Sequence, residues 1–290
     1  MEALNQLSPA GALALAGVLG LVVGSFLNVV IHRLPRGESL AWPGSHCPHC
    51  DAPIHWYDNL PVVSYLVLRG RCRSCGVRIS PRYPAVEAIT GVVFVALAVR
   101  HGAGPMLPLW WAFGAALVAT AFIDFDHQII PDEISLGGLA VALFCVPGAL
   151  WWSGDALAPA VVRSLAGAAL GGGLLWGVGF VHARVSASLG REFPHWPGEG
   201  ESLPTPGSVD YWVWFPGVGF GDVKLLAMIG AVLGPVGVLY TILAASLSGL
   251  VLGLGFAAVT RQWNAPFGFA PAIAAGALLV ALLPVSALSA

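Results

Sequence analysis

Polar and apolar positions fall into long separate blocks along this chain. A membrane-spanning helix needs about 20 apolar residues, and the first candidate is 10–31. A polar block, 32–84, follows it. Apolar runs then recur at about 85–99, 104–123, 134–152 and 160–182; the run at 85–99 is short unless it takes in residues past Arg100. The hydrophilic stretch 184–218 is rich in proline and glycine and contains FPHWPGEGESLPTPGSVD, a composition that predicts an irregular insertion. Residues 223–259 are apolar throughout but interrupted by Gly234-Pro235. They form either a tight helical hairpin or one long kinked helix; two helices are favoured here, the first short and tilted or broken. A last candidate covers 268–288. The pattern therefore predicts an all-α polytopic membrane protein of about eight transmembrane helices, seven being the alternative count. Its parts are a first helix at 1–31, a polar domain at 32–84, and a membrane core at 85–290.

Composition agrees. The chain is 57% hydrophobic and 10% charged, with a mean hydropathy of +0.80, whereas a soluble domain carries roughly 25% charged residues. The net charge of −2 adds little, but its distribution orients the chain: seven of thirteen Lys and Arg residues lie between Arg33 and Arg82. With 32–84 in the cytoplasm, alternating passes place 124–133, 184–218 and the loop at Arg261 on the same side. Eleven of the thirteen basic residues are then cytoplasmic, and only Arg100 and Arg163 lie outside. A single helix over 223–259 would move Arg261 outside. The N-terminus lacks the basic region and cleavage site of a signal peptide, so its apolar run is expected to remain as a helix. No sequence repeat suggests a transporter built from duplicated halves.

Four of the five cysteines form two pairs in the polar block, CPHC at 47–50 and CRSC at 72–75, with 21 residues between them. Paired Cys-x-x-Cys knuckles point to metal in a reducing compartment more than to disulfides. Cys47, Cys50, Cys72 and Cys75 would supply four thiolates, a closed tetrahedral set suited to structural zinc in a segment with little apolar core. Two redox dithiols or unligated thiols are the alternatives. His46, His49 and His55 could each replace a ligand, but four cysteines make that unnecessary. Cys145 lies in an apolar run and reads as a small hydrophobe.

Two polar words sit at the edges of apolar runs. In FIDFDHQIIPD, 122–132, Asp124 and Asp126 are two apart and cannot share a helix face. Asp124 is the one still attached to the apolar run. Asp132 follows Pro131 as an N-cap would. In GFGDVK, 219–224, Asp222 precedes another apolar run. The predicted topology puts Asp124 and Asp222 at the cytoplasmic ends of two different helices, and ionisable residues there are functional candidates by default. Two carboxylates that met would share a proton, one activating water and the other protonating a leaving amine. The plainer reading is that Asp222 caps its helix and Asp124 marks a membrane boundary; spacing alone leaves both open. Gly219 and Gly221 would permit close approach to a substrate or a neighbouring helix. Lys224 is expected to snorkel to the headgroups.

GFGDVKLLAMIGA and IDFDHQIIPD resemble the two catalytic words of the type IV prepilin peptidases, bacterial inner-membrane aspartyl proteases of the G-x-G-D class. GSFLNVVIHRLP (24–35), NLPVVSYLVLRGRCRSCGVRISPRYPAVE (59–87) and PFGFAP (266–271) resemble further words of that family in the same order. The resemblance implies cleavage of the basic leader from type IV prepilins or type II secretion pseudopilins. Methylation of the new N-terminal amine by S-adenosylmethionine would follow. It maps the catalytic pair onto Asp124 and Asp222, and the cytoplasmic four-cysteine domain of the methylating members onto Cys47, Cys50, Cys72 and Cys75. Lipid is an expected partner and nucleic acid is not. The 184–218 loop looks longer than is usual between the catalytic words, as a lid, a pilin contact or a neutral insertion. No strand–GxGxxG–helix fingerprint marks an S-adenosylmethionine pocket. Gly70 and Glu87 are candidates for it, but a turn glycine and a helix-N-terminal carboxylate are plainer readings. Asn28 and Arg33 read as helix-packing and boundary residues. Peptidase activity without methyl transfer is the narrower alternative; a membrane scaffold or transporter with a zinc-knuckle docking domain is the non-enzymatic one.

Overall fold

A computed structural model describes residues 8–283 apart from 192, 194–195, 197–202 and 262–267. The described residues are helical with a few isolated antiparallel bridges and no strands. The chain divides into two compact units, Met1–Ile129 and Ile130–Ala290.

The first unit holds α1 (Pro9–Arg33), the short α2 (Val63–Val67), α3 (Arg82–His101) and α4 (Leu107–His127). Ser8 caps α1, its hydroxyl accepting from Gly11 N–H at 3.2 Å, and Pro9 occupies the first helical position. Helices in lipid gain little from burying apolar surface against one another, so small residues at the seam let backbones close up and gain dispersion. That is how α1 meets α3. A methyl on Gly20 would stand 2.8 Å from Gly91 Cα, and one on Gly24 2.6 Å from Glu87 Cα. The glycine of the GSFLNVV word is therefore a contact point. The asparagine of the same word donates from Asn28 Nδ2 to the Tyr83 carbonyl at 3.1 Å. Arg33 Nη1 reaches the Ser39 carbonyl at 3.0 Å and holds the chain as it leaves the helix.

The second unit holds α5 (Asp132–Trp152), α6 (Leu157–Ser188), a single turn α7 (Asp210–Val213), α8 (Phe220–Thr260) and α9 (Ala270–Ala281). Gly167 and Gly171 of α6 sit directly on the backbone carbonyls of Gly230 and Leu226 in α8. Ser164 Oγ donates to the Ala231 carbonyl at 2.8 Å in the same seam.

The α8 helix is broken at Gly234, whose φ of 77° and ψ of 178° are open essentially to glycine alone. In a continuous helix residues 230 and 238 would be about 12 Å apart. Here a methyl on Gly230 would stand 2.9 Å from Val238 Cγ2, so the chain folds back at Gly234-Pro235 into arms 220–233 and 235–260. The break frees carbonyls that lipid cannot satisfy. Arg163 Nη2 donates to the one on Leu233 at 3.1 Å.

Among the described residues six helices are long and apolar enough to cross a membrane, α8 being counted once and the shorter α9 left out. Eight spans are therefore not reached by that measure; the difference from the expected count lies in those two elements. Residues 284–288 of the expected last helix lie outside the described residues.

Candidate functional site

The four cysteines come together. Their sulfur atoms all lie within 4.8 Å of one another, with Cys47 Sγ and Cys75 Sγ 3.9 Å apart. A tetrahedron with metal–sulfur bonds near 2.3 Å has edges of about 3.8 Å, so the set fits a four-coordinate ion. Both knuckles have one local geometry. The amides of Cys47 and Cys72 donate to the carbonyls of Ala52 and Val77 at 3.0 and 2.9 Å. Four residues beyond each leading cysteine the chain turns left-handed, at Asp51 (φ 53°) and Gly76 (φ 71°). These turns aim backbone N–H groups at sulfur. The N–H groups of Cys75 and Ser74 draw the Cys72 thiol down to about 6. The Ala52 N–H lowers Cys50, but desolvation and the crowding thiols outweigh it and push that group up to about 12. Four thiols this close cannot all ionise without a cation among them. Arg73, inside the second knuckle, clasps Asp58 with two bonds of 2.7 and 2.6 Å. The histidines stand apart: His46 Nδ1 is 3.0 Å from the Gly44 carbonyl, and His55 stacks on Tyr57.

Asp124 and Asp126 separate as their spacing requires. The α4 helix runs through both, and Asp124 is buried at 5% exposure while Asp126 is exposed and pairs with Arg82. Arg82 also donates to the Phe122 carbonyl at 3.1 Å. Gln128 closes the helix in a left-handed conformation, its N–H bonded to the Asp124 carbonyl at 2.9 Å.

Asp222 lies in the second unit, half-buried at the third position of α8. Gly219 is the cap residue, and Asp222 Oδ2 turns back over it, 3.2 Å from where a methyl would sit. Asp222 is thus a first-turn acid and not the cap itself. Gly221 allows Ile130 against the helix, 3.1 Å from where its methyl would be.

Two expectations are corrected. Asp132 is the first residue of α5 and makes no cap; the cap position falls on Pro131, which has no side-chain acceptor. Lys224 does not snorkel: its ammonium bonds Asp132 and lies over the Phe220 ring.

Of the weaker candidates, Gly70 is a turn glycine (φ 65°) seated against the Tyr65 ring. Glu87 is buried and accepts the Val62 N–H at 2.7 Å. Val62 is the centre of a tight turn (φ 60°, ψ −45°) in which Val63 N–H reaches the Pro61 carbonyl at 2.6 Å. That conformation is strained for a β-branched residue, and the Glu87 carboxylate holds it. No local pattern in the sequence marks this clasp.

The described part of the 184–218 loop is packed. Trp196 and Phe215 are buried with Ala183. Residues 211–216 lie along α6 as a strap whose carbonyls are held by side chains. Arg184 binds that of Tyr211 at 3.1 Å, Trp176 that of Trp212 at 2.8 Å, Trp196 that of Trp214 at 3.2 Å, and His182 lies 3.2 Å from that of Pro216. Phe215 fills the groove at Gly179, where a methyl would stand 2.7 Å from its ring. The tryptophan-rich word YWVWF was the available signal for this packing.

Residues 18–101 match the family model of the bacterial peptidase A24 N-terminal domain, and 111–254 that of the type IV leader peptidase family. A prepilin leader peptidase/N-methyltransferase of Myxococcus xanthus is 39% identical over 240 residues, which cover 82% of this chain and 61% of that relative. Its counterpart in Stutzerimonas stutzeri is 36% identical over 296 residues, 92% of this chain and 89% of the relative. The type 4 prepilin-like proteins leader peptide-processing enzyme of Escherichia coli is 33% identical, with 94% of each chain covered. No solved structure matches.

Proposed function

This chain belongs to the type IV leader peptidase family, and from that premise we propose that it removes the leader peptide from prepilins or pseudopilins and methylates the amine that cleavage exposes. Asp124 and Asp222 are the catalytic pair. The observation that carries this is their placement: each is withdrawn from full exposure at a helix end, one in the last turn of α4 and one in the first turn of α8. A helix N-terminus favours a carboxylate and a C-terminus does not. That assigns the role of base to Asp222 and the role of acid to Asp124. Asp222 takes a proton from water as its oxygen attacks the scissile carbonyl. Asp124 gives its proton to the departing amine as the C–N bond breaks. The cysteine segment holds one zinc ion in a closed structural role, because four cysteine ligands leave no position for a substrate. S-adenosylmethionine is the methyl donor the reading implies. The enzyme sits in the bacterial inner membrane with the knuckles and both aspartates on the cytoplasmic side, in line with the distribution of arginine.

The test is leader removal from a prepilin in membranes, followed by mass spectrometry of the new N-terminus. Asp124→Asn and Asp222→Asn are each expected to slow cleavage by at least about a hundredfold. Full cleavage by either variant removes the pair. A cleaved but unmethylated product from the wild type, with methyl donor present, leaves a peptidase alone.

A further inference from the structure

Among the described residues two buried hydroxyls have no hydrogen-bond partner, Thr120 Oγ1 and Thr241 Oγ1, and both residues are 0% exposed. A hydroxyl left unbonded in a dry interior costs stability. A helix offers a local remedy, a bond to the carbonyl one turn back. Thr90 of α3 takes it, Oγ1 donating to the Val86 carbonyl at 2.7 Å, and Ser135 of α5 does the same toward Pro131 at 3.1 Å. Thr120 does not. Its place in the sequence also sets it apart from Thr241. Thr120 stands one turn before Asp124 on α4, and side chains four apart on a helix are neighbours. Leu117 and Ile123 on the same stripe are fully buried. The residues three and four positions from Thr241 are Gly237, Val238, Ala244 and Ala245. Thr120 therefore shares its helix face with a carboxyl group, and Thr241 does not.

The acid role changes the charge of that carboxyl during turnover. Asp124 gives its O–H proton to the departing nitrogen as the C–N bond breaks, and the electron pair left on its oxygen makes it a carboxylate. The charge forms beside buried apolar side chains, where an anion needs a donor. Hydrogen bonds to charge are strongest in such surroundings. We propose that Thr120 is the donor held in reserve for this step: its hydroxyl turns about χ1 and bonds the Asp124 carboxylate as it forms. A helical threonine divides between two χ1 rotamers, so the turn stays within its ordinary range. An interaction absent from the ground state and present in the transition state is the kind that raises rate. Thr120 acts through Asp124 and is a positioning residue. The inference rests on Asp124 being the acid of the pair.

The experiment uses the full chain in membranes with a prepilin and measures kcat and KM of leader removal together with melting. Thr120→Val keeps the side-chain shape and deletes the hydroxyl. It is expected to lower kcat about ten- to a hundredfold, the worth of one hydrogen bond to a charged group, with KM unchanged. Melting is expected to be no lower than in the wild type, because an unbonded hydroxyl has been removed. Thr120→Ser keeps a donor and is expected to keep most of kcat. Thr241→Val is expected to leave both constants unchanged. If Thr120→Val does not fold, Thr120→Cys carries the test: its weaker donor is expected to give an intermediate kcat. Wild-type kcat in Thr120→Val overturns the proposal. A rise in KM alone also overturns it and makes the hydroxyl a contact to substrate. A fall in kcat that Thr120→Ser does not rescue, or that Thr241→Val matches, overturns it as well and leaves a packing role. Asp124→Asn is measured alongside. If that variant cleaves at the wild-type rate, the aspartate pair falls and Thr120 with it. If it is inactive while Thr120→Val is fully active, the inference about Thr120 falls alone.

Discussion

Asp51 and Gly76 hold equivalent places in the two knuckles, and only one of them is glycine. Gly76 has nothing within 4 Å of where a methyl would sit, so a substitution there meets no clash and costs only the left-handed backbone. Gly76→Ala is expected to destabilise the segment by about 1 kcal/mol. Metal titration would read this as a several-fold drop in affinity, because the site and the fold of the segment form together. Asp51→Gly is expected to cause no such loss. Single residues were also where sequence reading fared least evenly. That Asp124 and Asp126 part company follows from helix geometry alone. The bond from Lys224 to Asp132 crosses 92 positions, and nothing in either local word announces it. Asp132 looked like a cap because aspartate is a favoured cap residue and it directly precedes an apolar run.

At the scale of elements the helices were legible, since an apolar run bounded by polar words leaves few alternatives in lipid. Their ends shifted by a few residues: α6 continues to Ser188 and α5 begins at Asp132. The strap over α6 was not legible, because it has no period to read. It is held by side chains of α6 and by Trp196 acting on its carbonyls. Four residues beyond Phe215, the strap delivers the chain to Gly219 and so to Asp222. Trp176→Phe removes one donor and keeps the ring, leaving the Trp212 carbonyl to water, and is expected to cost about 0.5–1.5 kcal/mol. A larger effect on kcat than on KM in leader removal would show that the strap positions Asp222. A loss of melting temperature with kinetics unchanged would make the strap structural only.

For the whole molecule, the proposed metal site and the membrane core are expected to be separable supports. The seam of α1 with α3 rests on glycine contacts and the Asn28 bond, none of which involves a cysteine. Stripping metal with a chelator is expected to open residues 37–81 to protease while helical content and leader removal persist; collapse of cleavage together with the knuckles would refute that separation. The arms of α8 add a limit of another kind. Fourteen residues, 220–233, reach about 21 Å, and the hydrocarbon layer is about 30 Å thick. Arg163 packs on the turn at Gly234 and marks that end as the one near headgroups. The deficit of about 9 Å falls at the other end, so Asp222 is expected beneath the surface of an unperturbed bilayer. The hydrolysis proposed for Asp222 would then depend on how far water dips into the lipid. In nanodiscs of increasing acyl length cleavage is expected to slow steadily, with substrate affinity held constant, and a rate indifferent to lipid length would place Asp222 at the surface. Bilayer thickness becomes a rheostat on the water supply of a hydrolase.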